Sequence, residues 1–383
     1  MHLLVVSHSC ALALNRQIYA EIRRKTGWRI TIAVPARWKD EFGNEIDQPR
    51  FEGLEDAVQI PVWLNGNIIL HMYRANWLRI LKERRPDLVY VNHEPYSIAT
   101  AQVCWANMQS IKAPFGIYSC QNIAKNYPPP FSWTEKMVYR NSQFAFPITE
   151  DVADVLRDKG FRGRSTVCAL PLDPEKYHPR LRSNPPTEFE RGDEPVFGFV
   201  GRLTEAKGLR TLALALGKLR DEPWRLVVIG TGEFRNEFES LLASAGVRDR
   251  VRFQGYVPHA ETPRWLAAMD VLVLPSETQP NWKEQFGRVI PEALACGAAV
   301  VGSDSGEIPR LIKESGGGLV FKERNPEDLA AALRTMIEEP QRRETMARAG
   351  RAWVAKNISL DAVSDRMIQT FEAALRRPQA AKA

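Results

Sequence analysis

Short, continuous apolar runs recur along this chain at intervals that leave room for one helix between neighbours. That rhythm limits the fold more than any other feature. In the first half the runs are LLVVS (from Leu3), ITIAV (from Ile30), VQIPVW (from Val58), LVYVN (from Leu88), FGIYSC (from Phe115) and AFPIT (from Ala145). Each is rich in β-branched or aromatic residues and unbroken rather than alternating. Strands buried on both faces have this character, so the runs predict a parallel sheet flanked by helices. Near Pro171 the texture changes: LPLDPEKYHPRLRSNPPTEFERGDEP is proline-rich, charged and aperiodic, and reads as an interdomain linker.

The rhythm then restarts with VFGFV (from Val196), LVVIG (from Leu226), VRF (from Val251), VLVLP (from Val271), AAVVG (from Ala298) and GLVF (from Gly318). Helical stretches such as LRTLALALGKLRDE and EFRNEFESLLASAG lie between these runs. The expected fold class is α/β: two Rossmann-like, doubly wound parallel-sheet domains, residues 1–180 and 190–359. They are expected to face each other across a cleft at the carboxyl ends of both sheets, where such folds bind ligands. An amphipathic helix over about 360–383 is expected to cross back to the first domain. A chain of 383 residues has the length for two such cores.

Composition narrows the function classes. No run of 18 or more apolar residues occurs and mean hydropathy is -0.32, so no membrane span is expected. MHLLVVSHSC is too short in its apolar part for a signal peptide, lacks a basic leader, and reads as a buried first strand. Cys10, Cys104, Cys120, Cys168 and Cys296 are far apart, which fits reduced thiols in a cytoplasmic protein. The net charge of +6 is spread along the chain without any base-reading motif, so nucleic acid is set aside as a partner. The segment from His71 to Pro86, HMYRANWLRILKERRP, mixes bulky apolar groups with Arg and Lys. It has the make-up of an interfacial helix at a membrane surface, but the expected reading is an ordinary amphipathic helix packed on a sheet.

Four stretches carry chemistry. In EQFGRVIPEALACGAAVVGSDSGEIP, Val289, Ile290, Ala293 and Leu294 make an apolar helical stripe, and Pro291 confines the helix start to near Gly287 or Arg288. Glu284 then precedes the helix and Glu292 lies one turn inside it. Free N–H groups near Phe286, Gly287 and Arg288 suit phosphate or sugar oxygens, and the two carboxylates suit hydroxyls. In FVGRLTEAKGLRTL, Gly201 turns the backbone at a strand end and Arg202 and Lys207 follow, a pair of cations suited to a diphosphate. VVIGTGEFRNEFE places Gly230 and Gly232 at another strand end, but Arg235 stands where a dinucleotide fingerprint needs its third glycine, which argues against a dehydrogenase. VRFQGYVPHAE puts Gly255 and Tyr256 after a short strand, where a flat base can lie against the backbone.

In this order the four stretches resemble the retaining, metal-independent, group 1 glycosyltransferases of the GT-B fold, family four. GRLTEAKG, IGTGEFRNEFE, FQGYV and the E-x7-E segment EQFGRVIPE carry the resemblance, and PLDPEKYHP is similar to that family's domain-crossing segment. The match covers most of the second half and the first half loosely. The resemblance implies that Glu292 holds the donor's ribose, and that Glu284 with the amides of Phe286 and Gly287 holds the donor sugar. It implies further that Arg202 and Lys207 bind the diphosphate, and that Gly255 and Tyr256 lie near the base. The implied substrates are a UDP- or GDP-sugar and a glycan or lipid-linked acceptor, handled at the inner face of a membrane without metal or cofactor.

Two places depart from the family. SHSCALALNRQ lacks the glycine pair after the first strand, leaving Asn15 or Arg16 as acceptor-side candidates. YSCQN has Gln121 where relatives often carry histidine; Gln hydrogen-bonds a sugar but cannot act as a base. His93, in VNHEPYS, lies at another strand end, as a structural residue or an acceptor-side one. A sugar-nucleotide epimerase or hydrolase and a non-catalytic nucleotide-sugar binder are the alternative functions.

Overall fold

The computed structural model describes residues 1–39, 45–46, 54, 56–186 and 192–376. The chain divides into two compact units: Met1–Pro171 with Leu360–Ala383, and Leu172–Ser359.

The first unit contains β1 (His2–Val6), β2 (Arg29–Pro35), β3 (Ala57–Ile60), β4 (Val62–Trp63), β5 (Met72–Tyr73), β6 (Leu88–Val91), β7 (Phe115–Ser119), β8 (Phe144–Pro147) and β9 (Arg164–Ser165). Seven of these form a parallel sheet in the order β3-β2-β1-β6-β7-β8-β9. The second unit contains β10 (Val196–Val200), β11 (Arg225–Ile229), β12 (Val251–Gly255), β13 (Val271–Leu274), β14 (Ala299–Ser303) and β15 (Gly318–Phe321). They pair in parallel in the order β12-β11-β10-β13-β14-β15. In both sheets the order reverses beside the first strand, at β1/β6 and at β10/β13, which is where doubly wound sheets open a ligand crevice.

The unbroken apolar runs follow from this layering. Leu4 and Val6 of β1 belong to one buried cluster with Val89 and Phe115, while Leu3 and Val5 belong to another with Ile18 and Tyr90. With both faces covered, the central strand positions are taken by apolar residues. Helix Leu360–Arg376 supplies part of the second cluster through Val363, Met367 and Phe371. The Phe371 ring meets those of Phe146, Phe144 and Tyr90 at 5.4, 5.5 and 5.9 Å between centroids. Side-chain caps start several helices: Ser97 accepts from Thr100 N–H, Thr149 from Val152 N–H, and Asn325 from Asp328 N–H.

Some expectations change in the structure. VQIPVW is two strands, because Pro61 has no N–H to give a ladder: β3 stays in the main sheet and β4 pairs antiparallel with β5. The stretch read as a linker, with domains meeting between 180 and 190, begins the second unit at Leu172 instead. Tyr177 in it is buried, and a short 3-10 turn over Pro179–Ser183 packs on helix Thr262–Ala268. Ion pairing of Arg182 with Asp270 ties it down further. Residues 187–191 of that stretch, and 377–383 of the expected terminal helix, lie outside the described residues. The basic-aromatic segment is the ordinary amphipathic helix: in helix Trp77–Arg84 both Trp77 and Leu81 are buried in the core. The exposed apolar side chains sit just upstream, at Trp63, Leu64, Ile68 and Ile69. Among the described residues, no helix is long and apolar enough to cross a membrane.

Candidate functional site

In the second unit the carboxyl ends of three adjacent strands are laced by backbone hydrogen bonds. Gly201 N–H donates to the Ile229 carbonyl (3.0 Å), Gly230 N–H to the Gly255 carbonyl (2.8 Å) and Leu203 N–H to the Thr231 carbonyl (2.9 Å). The structure therefore brings Gly201, Gly230, Gly232 and Gly255 to one edge. Gly230 has φ 128°, and a Cβ there would stand 1.9 Å from the Gly201 carbonyl oxygen. Only glycine lets these turns approach so closely. Beyond β12, the Tyr256 side chain is 71% exposed. Arg202 is exposed too, and among the described residues its guanidinium has no ion pair.

Lys207 ends the 3-10 turn Glu205–Lys207 and donates to Glu284 Oε2 (2.6 Å), which also accepts from Ser276 Oγ (2.9 Å). The Lys207 ammonium lies 4.9 Å from the centre of the Trp282 ring. Glu284 is buried in the loop before helix Val289–Ala295, whose N-cap is Arg288. Phe286 is buried next to it, and Gly287 sits at φ 63°, a left-handed turn that aims the loop into the helix. Glu292, one turn inside, accepts from Arg288 Nε (3.0 Å) and Tyr177 Oη (3.3 Å), both on Oε1. Among the described residues its Oε2 has no hydrogen-bond partner. Burial raises the Glu292 carboxyl above its ordinary range, with Arg288 and Tyr177 drawing it back. His259 closes the group, its Nδ1 3.3 Å from Tyr177 Oη and its Nε2 3.3 Å from an Arg288 nitrogen. Burial and then Arg288 lower its pKa to about 4, so it is a neutral imidazole near pH 7.

The first unit presents different groups at its sheet edge. Asn15 and Arg16 turn their donors inward: the Asn15 amide bonds the Ser9 carbonyl (2.7 Å) and Arg16 Nε the Cys10 carbonyl (2.5 Å). Gln121 is buried, donating to Tyr127 Oη (3.2 Å) and accepting from Lys159 Nζ (3.4 Å). His93 is buried with Nδ1 2.7 Å from Nδ1 of His8 and Nε2 3.2 Å from Tyr73 Oη. Glu94 is buried after β6, accepting from Ser119 Oγ (2.8 Å), Cys120 N–H (2.7 Å) and Cys120 Sγ (3.0 Å). Burial raises its carboxyl despite those donors.

Sequence reasoning missed Tyr177, His259 and Ser276 around the two carboxylates, and His8 beside His93. Tyr177 and His259 stand inside quoted motifs, PLDPEKYHP and VRFQGYVPHAE, but nothing in their local spacing points to Glu292. A cavity of about 610 Å³ opens at the opposite, amino edge of β10–β12, lined by Trp224, Arg225 and Arg250. No strand-end glycine or candidate site residue lines it, and the amino edge is not where doubly wound sheets bind ligands.

Residues 182–353 match the family model described as glycosyl transferases group 1. The alpha-D-kanosaminyltransferase of Streptomyces kanamyceticus is 26% identical over 62% of this chain and 62% of its own length. A GDP-mannose-dependent alpha-(1-6)-phosphatidylinositol monomannoside mannosyltransferase of Mycobacterium tuberculosis is 29% identical over 51% of this chain and 52% of its own. The chain thus spans about half to two thirds of the length of the curated relatives it matches. Among solved structures, HepE from Anabaena in complex with UDP superposes with a TM-score of 0.74 at 17% identity, covering 97% of this chain and 99% of that one. Residues 182–353 are thus similar to the group 1 glycosyltransferases, and the likeness in architecture gives the chain the GT-B fold.

Proposed function

We propose that this chain is a retaining, metal-independent hexosyltransferase of the family-four kind. On this reading it moves a hexose from a UDP- or GDP-sugar to a glycan or lipid-linked acceptor, in cell-surface polysaccharide or glycoconjugate synthesis. The observation that carries the reading is the second unit's strand edge, where Lys207, paired with Glu284, stands beside the glycine turns with the exposed Arg202. Two similar proteins support a nucleotide-sugar donor, one being GDP-mannose-dependent and the other solved in complex with UDP.

In this mechanism the anomeric C–O bond breaks and negative charge grows on the departing diphosphate. Arg202 and Lys207 stabilise it, and the start of helix Val289–Ala295 adds its free N–H groups. Glu284 orients the sugar while holding Lys207. Glu292 offers Oε2 to the ribose hydroxyls, with Oε1 fixed by Arg288 and Tyr177. The acceptor oxygen attacks on the face the leaving group departs from, and a donor phosphate oxygen takes its proton. The first unit receives the acceptor, with Gln121 as a polar contact and His93 on the acceptor side behind it. Exposed Trp63, Leu64, Ile68 and Ile69 support peripheral contact with the cytoplasmic face of a membrane.

The deciding experiment follows nucleoside diphosphate release from UDP-, GDP- and ADP-sugars, with and without chelator and with and without membrane lipid extract. Release from one donor, raised by extract, insensitive to chelator and lost in Glu292→Ala, is expected. Full turnover without any acceptor would replace this reading with a hydrolase or epimerase, and binding without turnover with a nucleotide-sugar binder.

A further inference from the structure

His8, His71 and His93 come from three separate places in the first unit: after β1, before β5 and after β6. Their ring centroids lie 4.6 Å apart for His8–His93, 4.9 Å for His71–His93 and 5.6 Å for His8–His71. One ligand nitrogen from each can be chosen so that all three are within 4.8 Å of one another. Two of the three follow parallel strands that neighbour each other at the sheet's point of reversal, on the ligand-binding edge of such folds.

The hydrogen bonds around the cluster fix the tautomers a metal needs at two of the three imidazoles, His71 and His93. His71 Nδ1 lies 2.9 Å from the Asn67 carbonyl, which only accepts, so Nδ1 carries the proton and Nε2 carries a lone pair. That Nε2 is buried and, among the described residues, has no hydrogen-bond partner. A buried acceptor without a donor is uncommon in a folded protein and calls for a partner beyond the described side chains. His8 Nδ1 and His93 Nδ1 face each other at 2.7 Å, sharing one proton, and His93 Nε2 has Tyr73 Oη at 3.2 Å to receive its own N–H. These second contacts, a backbone carbonyl on one imidazole and a phenol on another, are of the kind that orient metal-bound histidines.

We propose that His71 Nε2, His93 Nδ1 and His8 Nδ1 form a three-imidazole site for a divalent transition-metal cation of zinc's class. Zinc–nitrogen bonds of about 2.0–2.1 Å in a tetrahedron put ligand nitrogens roughly 3.3 Å apart. The His8–His93 pair therefore opens slightly and His71 closes in, movements within reach of side-chain rotation. Three protein ligands leave a fourth position for water or a hydroxyl oxygen. Burial disfavours the imidazolium form of each ring, so the cation meets neutral imidazoles, and its entry moves the proton that His8 shares with His93 from His8 Nδ1 to His8 Nε2. The site is independent of the leaving-group stabilisation proposed above, which uses Arg202 and Lys207.

The test uses the full chain without a polyhistidine tag, stripped with chelator and titrated with zinc against a chromophoric competitor. Cobalt substitution then reads coordination geometry from its visible absorption. One equivalent of zinc, a tetrahedral cobalt spectrum and a raised melting temperature are expected. Tyr73→Phe should weaken binding about 10–100-fold by removing a second contact, and His8→Ala or His71→Phe by more than that. If His71→Phe fails to fold by circular dichroism, His8→Ala decides, since His8 is the least buried of the three. Absence of stoichiometric binding in the folded wild type, or unchanged affinity in a folded His8→Ala variant, would overturn the site.

Discussion

At the end of β10 the chain turns through Gly201 into Arg202 and Lys207, while at the end of β1 it turns into His8, and at the end of β6 into His93 and Glu94. The two units share a sheet order and a burial pattern, yet their functional edges carry different chemistry. The second unit's edge holds permanent charge: Lys207 on Glu284, Arg288 on Glu292 and an exposed Arg202. The first unit's edge holds neutral polar groups, all but His8 buried: three histidines, Gln121 and a carboxyl whose proton burial favours. An edge of fixed charges suits an anionic leaving group, whereas neutral donors and acceptors suit hydroxyls, which carry no charge to neutralise. The same scaffold supports both because strand ends and loops, not the sheet, supply the chemistry.

The comparison can be broken first through stability. Phe371→Ala removes a fully buried ring from the first unit only and should destabilise that unit by about 3–5 kcal/mol. Calorimetry is expected to resolve an early transition for the first unit and an unchanged one for the second. A single shifted transition would mean that the units unfold together. Next in size, Lys207→Ala should lower kcat/KM by about 10²–10³, the usual loss for a contact to developing charge. Gln121→Ala should instead leave donor affinity unchanged and reduce only acceptor-dependent turnover. Equal effects of both on donor binding would erase the distinction between the edges.

Acidification separates the edges further. His8 and His71 have folded pKa values near 3 and 4 against an ordinary 6.5, lowered by burial, so the unfolded chain takes up protons first. Their contribution to stability is complete above about pH 6.5 and is lost as pH falls toward 4. Glu94, raised by burial, opposes this trend. Melting temperatures measured with chelator between pH 7 and 4.5 should fall, and less steeply in His8→Ala; a parallel decline in both would remove the histidines from the account. The smallest effect is expected at Tyr256, where the exposed ring makes Tyr256→Ala nearly neutral for stability, within about 0.5 kcal/mol. Donor affinity in that variant should drop only a few-fold, as read by nucleotide-induced thermal shift.

Much of the fold was legible because a strand buried on both faces leaves a local record. VFGFV, LVVIG and VLVLP are strands β10, β11 and β13, and helix Val289–Ala295 starts where Pro291 requires it. What local reading missed involved distant partners or short elements. Arg164–Ser165 pairs as β9 although both residues are exposed and neither is apolar. Trp77 and Leu81 look interfacial beside their arginines, but Tyr73 and the sheet beneath them cover the apolar face.

The amino-acid order alone determined two doubly wound sheets, the glycine turns at the ends of β10, β11 and β12, and the carboxylate before and within one helix. Those features depend on neighbours a few residues apart, through backbone sterics, side-chain period and the missing N–H of proline. Tertiary structure decided which distant groups meet. It set Tyr177 on Glu292 across 115 residues, Lys207 on Glu284 across 77, and His8 on His93 across 85. Burial then changed what those groups are, raising one carboxyl and neutralising the imidazoles. Desolvation depends on everything packed around a group, and no local stretch of sequence contains that information.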